Sequence, residues 1–338
     1  MKMKNTTLIG ALFFYLTLLV APAHATQLPG PLVDTKWLAA NIDNVVILDV
    51  RKDLKSFEKR AKTAKAVNPC GVGGGGKKGP IKVEGHIPGA VLIPWKGVTT
   101  KRKIAGKEIK VLMPEKNKFE RLMQKSGVNN DSAVVITSKG KALAHTAIAA
   151  RLYLTMKYFG FDNVALLDGG TAQWIKDKNK VKFGKSRAKR GNFKANAERK
   201  EMLASTDDVT DVSLGQSDKQ LLDMRSTAEY LGLTASGKFV TPGVKGHVAG
   251  AKSFPIALFG NALGPATIYK KESFKKVSEL LRMDINKPTI AMCNSGVMAS
   301  LGWFVLHELN GADNVSLYDG SMHEWSHLGK PVASMKFE

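Results

Sequence analysis

The sequence predicts an α/β fold made of two tandem copies of one domain, each a parallel sheet flanked by helices on both faces. The chain has 338 residues, which is more than one hydrophobic core usually serves. Short motifs of the first half recur in the second half in the same order. Within each half, short apolar runs alternate with longer helical stretches, a pattern typical of a parallel sheet with helical crossovers.

Three motifs occur in both halves, with their spacing kept apart from extra residues in the first half. They are Leu-Asp-x-Arg at 48–51 and 222–225, Gly-His-x-x-Gly-Ala at 85–90 and 246–251, and Asp-Asn-Val through Asp-Gly to Trp at 162–174 and 313–325. We expect a feature shared by both copies to serve the fold. The Asp-x-Arg pairs should brace strand ends, the Asp-Gly steps should form turns, and differences between the copies should carry the function.

The apolar runs give the expected order of strands and helices. The expected strands lie at 45–49, 90–93, 133–137 and 164–167 in the first copy, and at 220–223, 251–254, 289–292 and 315–318 in the second. Helices are expected over 116–125 and 143–158. Because ligands bind outside the carboxyl ends of such strands, the loops that follow them are the places to search for a site.

The first 25 residues have the pattern of a secretory signal. Lys2 and Lys4 precede an apolar run from Leu8 to Val20, and Ala23-His24-Ala25 supplies the small residues that a signal peptidase reads. The run is short for a membrane span. We expect cleavage after Ala25 and a periplasmic or otherwise exported protein with no membrane association after cleavage. A retained membrane anchor is the alternative.

The remaining chain divides at a strongly basic segment. The expected parts are the signal 1–25, a first domain 30–178, a basic linker 179–206 and a second domain 207–334. Eleven basic and three acidic residues lie between Lys176 and Ser205, without apolar periodicity, which indicates a solvated linker. The net charge of +22 favours anionic partners. A nucleic acid is excluded because no binding motif is present and aromatic residues are few.

The two copies differ at one chemically decisive position. The chain has two cysteines, Cys70 and Cys293. Cys70 lies in a glycine-rich tract at 69–76, so its setting differs from that of Cys293, and a disulfide between them is the less favoured alternative. Cys293 follows the expected strand 289–292, whereas Ser138 follows the matching strand 133–137. Only the second half therefore carries a strong nucleophile, and we expect the first domain to be non-catalytic.

The loop after Cys293 suits a reactive thiol. The residues Cys293-Asn294-Ser295-Gly296-Val297-Met298 connect a buried strand to a helix expected to begin near Ala299. The unpaired N–H groups at the start of a helix favour the thiolate, which is the reactive form of cysteine. The alternative is a buried inert cysteine, the commonest form of a free cysteine in proteins.

These paired motifs, together with the strand-Cys-loop-helix segment, resemble the rhodanese family from about Leu32 to Val332. The family includes thiosulfate and 3-mercaptopyruvate sulfurtransferases with an inactive first domain and an active second one. The resemblance implies that Cys293 takes sulfane sulfur from a small anionic donor and holds it as a persulfide. A thiol or cyanide would then accept the sulfur. No metal or organic cofactor is implied, and we expect a monomer. A non-catalytic sulfur-binding or interaction protein that keeps the fold is the alternative.

The loop sequence distinguishes between family members. Related cysteine phosphatases need an arginine at the position of Ala299, so a phosphatase is disfavoured. Thiosulfate-using members resemble Cys-Arg-Lys-Gly-Val-Thr, and mercaptopyruvate-using members resemble Cys-Gly-Ser-Gly-Val-Thr. The run Ser295-Gly296-Val297 matches the second type, and Met298 departs from both.

The donor-binding position also departs from the family. Glu229 stands where the resemblance expects an arginine, four residues beyond Arg225. A carboxylate that faced the site would repel both donors, so we expect weak binding of each, with mercaptopyruvate ahead of thiosulfate. Lys238, Lys245 or the cluster Lys101-Arg102-Lys103 are candidates to replace the missing cation.

Two further residues are candidates for supporting roles at the site. In mercaptopyruvate-type members the loop serine is assisted by a histidine of the first domain and an acid. The matching residues are Ser295 and His86, with Glu84 as an unmatched acid. The repeat argues against this role, because His247 occupies the position of His86 in the other copy. Arg225, at the end of the Asp-x-Arg motif, is the other candidate.

Overall fold

The computed structural model describes residues 26–59, 82–261 and 264–335. The expected signal segment, the glycine-rich tract and Cys70 lie outside these residues. Over these residues the chain forms two five-stranded parallel sheets of identical strand order and one two-stranded antiparallel hairpin. The two-domain α/β fold expected from the repeat is therefore confirmed.

The first sheet has the order β1-β7-β6-β2-β3, and the second has the equivalent order β8-β12-β11-β9-β10. The strands of the first sheet are β1 (Leu32–Val33), β2 (Val46–Arg51), β3 (Val91–Pro94), β6 (Val134–Thr137) and β7 (Val164–Leu167). Those of the second sheet are β8 (Leu203–Ala204), β9 (Gln220–Asp223), β10 (Ala251–Ser253), β11 (Thr289–Met292) and β12 (Val315–Tyr318). The central strands are buried on both faces, as covered parallel sheets require.

Helices cover both sheets and connect their parallel strands. They are α1 (Thr35–Ala40), α2 (Lys55–Glu58), α3 (Lys116–Lys125), α4 (Leu143–Tyr158), α5 (Gly170–Lys176), α6 (Thr206–Ser213), α7 (Thr227–Tyr230), α8 (Lys271–Leu280), α9 (Val297–Trp303) and α10 (Ser321–His327). A six-residue π-helical turn, Phe304–Leu309, continues α9. α3 is a surface helix that buries only Phe119 and Met123, one turn apart, and turns its lysines to solvent.

The two domains share one apolar core. α4 buries twelve of its sixteen residues because it packs against the first sheet on one side and against α9 on the other. The same apolar cluster contains Leu48 of the first sheet and Leu222 of the second. Arg151 of α4 is fully buried and forms an ion pair across this boundary with Asp319. The second domain is thus fixed against the first.

The shared motifs brace the fold in both copies. Arg51 and Arg225 pair with Asp49 and Asp223 at 2.7 and 2.6 Å, and each also donates to the carbonyl of the glycine that precedes the histidine. His86 stacks on Phe57, as His247 stacks on Tyr230. These contacts are equivalent in the two copies, as expected of features that serve the fold.

Apart from shifts of one or two residues at several strand ends, the structure departs from the sequence-based expectation at a hairpin, at one helix start and in the linker. The hairpin formed by β4 (Thr100–Ile104) and β5 (Lys107–Leu112) was expected only as a cluster of cations. α9 begins two residues earlier than expected, at Val297. The basic linker is not wholly solvated, because Phe193 is buried and its N–H donates to the carbonyl of Val128. Within the described residues, no helix is both long enough and apolar enough to span a membrane.

Candidate active site

The candidate site lies where β11 ends and α9 begins. Cys293 directly follows β11, and Gly296 caps α9 with a left-handed φ of +72°. A Cβ at this glycine would lie 2.7 Å from the carbonyl oxygen of Asp319 and 2.9 Å from the Arg151 guanidinium. Only glycine fits this position, so the loop that holds the thiol is packed tightly against both domains.

The hydroxyl of Ser321 holds the loop through hydrogen bonds to its backbone. Ser321 Oγ accepts hydrogen bonds from the N–H groups of Cys293 and Gly296, at 3.1 and 3.0 Å. It also donates to the carbonyl of Tyr318 at 2.8 Å. Ser321 is fully buried and has a positive φ of 52°, a strained conformation for a residue other than glycine. This side chain therefore fixes both ends of the segment that carries the sulfur.

The first domain has the same loop scaffold without the same chemistry. In each copy two backbone N–H groups after the Asp-Gly step donate to the loop. These bonds run from Met322 and His323 to the carbonyls of Cys293 and Asn294, and from Thr171 and Ala172 to those of Ser138 and Lys139, at 2.9–3.1 Å. Ser138 occupies the place of Cys293 in this pattern, and Gly170 occupies that of Ser321. The copies thus differ in both the nucleophile and the hydroxyl beneath it.

The thiol opens onto a cavity of about 410 Å³ between the domains. Only 1% of the surface of Cys293 is accessible, so the sulfur lies at the bottom of this cavity. Its apolar walls include Trp95 of the first domain and Met224, Phe239, Ile256 and Met298 of the second. The cavity can therefore hold a small substrate between largely apolar walls.

Glu229 faces this cavity and is held in place by its own domain. One carboxylate oxygen accepts from Asn294 Nδ2 at 2.7 Å, and the other accepts from Ser226 Oγ at 2.9 Å. The bond to Ser226 belongs to a capping box at the start of α7. The carboxylate that replaces the expected arginine is thus a fixed part of the site.

Two lysines line the same cavity. Lys238 of the second domain lies over the ring of Phe239, 5.3 Å from its centroid, and Lys52 of the first domain lies 5.2 Å from that of Trp95. Partial burial, and then the charge of Lys238, lower the pKa of Lys52 below its usual value. Within the described part of the chain, neither lysine forms an ion pair with a carboxylate within 4.0 Å.

The structure gathers most of the predicted site residues. Cys293, Asn294, Ser295, Val297, Met298 and Arg225 line one cavity, and Gly296 lies between them in the loop. His86 does not line it, because the ring packs against Phe57. Among the candidate cations, Lys238 lines the cavity, whereas Lys245 and the cluster 101–103 do not. Glu84 pairs with Lys82 at 3.2 Å.

Two residues of the site were missed in the sequence. Lys52 follows Arg51 at the carboxyl end of β2, the edge where sites occur, but its proximity to Cys293 depends on how the domains pack. Ser321 could have been found by comparing Asp319-Gly320-Ser321 with Asp168-Gly169-Gly170. Across the described ranges, no group of three or more His, Cys, Asp or Glu side chains is placed to hold a metal ion.

The chain belongs to the rhodanese family. The model of the rhodanese-like domain matches residues 34–177 and 207–328, which together span most of the chain. The bovine thiosulfate sulfurtransferase is 30% identical over 250 residues, covering 74% of this chain and 80% of its own. The sulfur carrier protein TtuD of Thermus thermophilus is 27% identical, covering 90% of this chain and 97% of its own.

Solved structures agree with this assignment at the level of the fold. SseA from Escherichia coli, described as a 3-mercaptopyruvate sulfotransferase with the rhodanese fold, matches with a TM-score of 0.65 at 24% identity. The match covers 86% of this chain and 98% of SseA. Tum1 from Saccharomyces cerevisiae matches with a TM-score of 0.69 at 17% identity, covering 90% and 98%. Family membership and relatives named for sulfur transfer support a sulfurtransferase function in general.

Proposed function

We propose that this protein is a monomeric sulfurtransferase that carries sulfane sulfur as a persulfide on Cys293. The observation that carries the proposal is the position of Cys293 at the bottom of an interdomain cavity, in a loop that Ser321 fixes at both ends. The equivalent loop of the first domain has Ser138, a far weaker nucleophile. The asymmetry between two otherwise equivalent scaffolds supports one catalytic and one non-catalytic domain.

The proposed reaction has two half-reactions. The Cys293 thiolate attacks the sulfur that the donor gives up, and the bond from that sulfur to the rest of the donor breaks. The remainder leaves with the bonding electrons, as sulfite from thiosulfate or, from mercaptopyruvate, as a pyruvate carbanion that takes up the thiol proton. The persulfide is then negatively charged at its outer sulfur. The first N–H groups of a helix have no partner within the helix, and α9 begins four residues after Cys293. These groups, near the sulfur, would stabilise both anionic states.

The charges around the cavity support an anionic donor. Glu229 alone would repel an anion by about 4 kcal/mol at a separation of about 4 Å and an effective dielectric constant of about 20. Lys52 and Lys238 line the same cavity and offset this repulsion, which makes donor binding more favourable than Glu229 by itself indicates. We propose mercaptopyruvate ahead of thiosulfate, because the loop 293–298 has no cation to hold a dianion beside a thiolate.

A non-catalytic sulfur-binding protein is the second candidate. The observation that favours it is Glu229, whose carboxylate faces the cavity at the position of the family's arginine. In this alternative the protein keeps the fold and the thiol, but no donor transfers sulfur to Cys293. The two candidates therefore differ in one measurable event, the formation of the persulfide.

Intact mass spectrometry tests the proposal. We expect a gain of one sulfur atom when the purified protein is incubated with mercaptopyruvate or thiosulfate, and loss of that atom on addition of cyanide with formation of thiocyanate. Cys293→Ser is the matched control and should gain none. If the parent protein gains no sulfur from either donor, the enzyme proposal is wrong and the non-catalytic candidate stands.

We also propose that the protein acts outside the cytoplasm, after removal of residues 1–25. The basis is the pattern of Lys2, Lys4 and the apolar run from Leu8 to Val20. Cell fractionation with N-terminal sequencing tests it. A mature chain that begins at Thr26 in the exported fraction is expected, and a cytoplasmic chain with Met1 retained would contradict the proposal.

A further inference from the structure

We infer that the sulfur acceptor is a zwitterionic amino-acid thiol, whose carboxylate binds Lys52 and Lys238 and whose ammonium binds Glu229. The inference rests on the proposed function, because an acceptor presupposes a persulfide on Cys293.

Charges of opposite sign line one cavity without neutralising each other. Glu229 and the two lysines all border the space above Cys293. Among the described residues, no ion pair within 4.0 Å joins Glu229 to either lysine. A ligand with both charges can bridge such a gap, whereas a simple anion or a simple cation would meet one attractive and one repulsive partner. The arrangement therefore favours a zwitterion.

Glu229 has the capacity and the rigidity to bind an ammonium. A carboxylate offers about four lone-pair sites. Asn294 Nδ2 uses one site, and the hydroxyl and the N–H of Ser226 use two more, at 2.9 and 3.3 Å. One site is left, and the carboxylate is already held by the start of α7. Little conformational entropy is lost when a group fixed in this way binds a ligand.

The lysines are placed to receive the opposite charge. Lys52 and Lys238 line the cavity from different domains, each over an aromatic ring. Partial burial, and then the charge of Lys238, lower the pKa of Lys52. A carboxylate between the two ammonium groups would relieve the repulsion between them. The acceptor's charged end would then lie beside the lysines, with its thiol directed to Cys293.

The transfer step needs no additional reactant. The thiolate of the acceptor attacks the outer sulfur of the Cys293 persulfide, and a new S–S bond forms on the acceptor. The bond between that sulfur and Cys293 Sγ breaks, and Cys293 leaves as a thiolate with the electron pair. The outer sulfur takes up the proton that the acceptor thiol loses on forming its thiolate, and the product leaves as the persulfide of the acceptor. No net oxidation or reduction occurs.

Four small thiols test the contributions of the acceptor's ammonium and of its carboxylate separately. Protein loaded with one sulfur, verified by mass, is mixed with cysteine, N-acetylcysteine, cysteamine or 2-mercaptoethanol, and loss of the persulfide is followed in a single turnover. N-acetylcysteine lacks the ammonium, cysteamine lacks the carboxylate and 2-mercaptoethanol lacks both. Rates are compared as ratios between protein variants, so that the intrinsic reactivity of each thiol cancels.

We expect Glu229→Gln to lower the rate ratio of cysteine to N-acetylcysteine about fivefold, the value of one exposed ion pair. Lys52→Met should lower the ratio of cysteine to cysteamine by about the same factor and leave the ratio of cysteine to N-acetylcysteine nearly unchanged. Glu272→Gln and Lys36→Met change the net charge equally at exposed positions outside the cavity and should alter neither ratio. Alkylation of unloaded protein by iodoacetamide checks that each variant keeps an intact site.

The outcomes distinguish the two levels of the proposal. If the parent protein cannot be loaded, the proposed function fails at the first step. If the protein loads normally but the variants leave both ratios unchanged, or if 2-mercaptoethanol matches cysteine in its dependence on Glu229 and Lys52, the zwitterionic acceptor is refuted and the sulfurtransferase proposal stands.

Discussion

Replacing Ser321 by glycine, the residue at the matching position of the first domain, tests how the loop around Cys293 is held. The hydroxyl accepts from the N–H groups of Cys293 and Gly296 and is fully buried. Its loss leaves two buried donors without a partner, and each costs about 1–3 kcal/mol. Glycine recovers about 1 kcal/mol of this, because the position has a φ of +52°. Ser321→Ala removes the same hydroxyl but keeps the backbone strain.

We therefore expect both variants to lose stability, with alanine about 1 kcal/mol worse than glycine. Urea unfolding gives these differences directly. The loop should also lose its fixed geometry, and a misplacement of about 1 Å can lower a rate by about a hundredfold. The rate of sulfur loading, followed by intact mass, should fall by this order in both variants, even at temperatures where each remains folded.

A matched control separates the loop effect from simple loss of a buried hydroxyl. Ser278 on α8 is also buried, but within the described residues its hydroxyl bonds only to the carbonyl of Phe274 in its own helix. Ser278→Ala should lose little stability and keep the parent loading rate. If Ser321→Gly loads sulfur within about twofold of the parent rate, the hydroxyl does not position the loop and our reading of the site is wrong.

Four further changes probe the nucleophile, the donor and the electrostatics. Cys293→Ser should abolish sulfur transfer with little loss of stability in urea, and turnover near the parent rate would contradict the proposed persulfide. Ser138→Cys combined with Cys293→Ser should gain no sulfur by intact mass, because the first domain has Gly170 where the second has a hydroxyl; loading would show that the loop sequence matters little. Glu229→Arg should raise the loading rate with both donors, and an unchanged rate would mean that this carboxylate does not affect donor binding. Burial raises the pKa of Asp168 to about 6 from its usual 3.8. The folded state therefore binds the Asp168 proton more tightly than the unfolded state does. The free energy of unfolding should fall as the pH rises from about 4 to 6, by up to about 3 kcal/mol. Asp168→Asn should remove this slope in pH-dependent unfolding experiments, and a parent-like slope would assign it to another group.

The sequence alone was sufficient for the architecture and for the choice of Cys293 as the proposed nucleophile. Covered parallel strands are short apolar runs, and β7, β9, β11 and β12 begin and end at the predicted residues. The repeat supplied an internal comparison in which Cys293 and Ser138 differ at equivalent positions. The hairpin β4–β5 was missed because its residues are mostly charged, so it has no apolar pattern, and its fixed position comes from contacts such as that of Met113 N–H with Asp319.

Only the tertiary structure decided which charged groups line the same cavity as the Cys293 thiol. The direction of Glu229 depends on its bonds to Ser226 and Asn294, and the second of these spans 65 residues of sequence. Lys52 reaches the cavity because α4 and α9 pack the two domains together. His86 does not line the cavity, because its ring stacks on that of Phe57. Periodicity in a sequence reports which face of a strand or helix is buried, but the substrate cavity is formed by loops and by the contact between domains, where no local pattern determines what lies opposite.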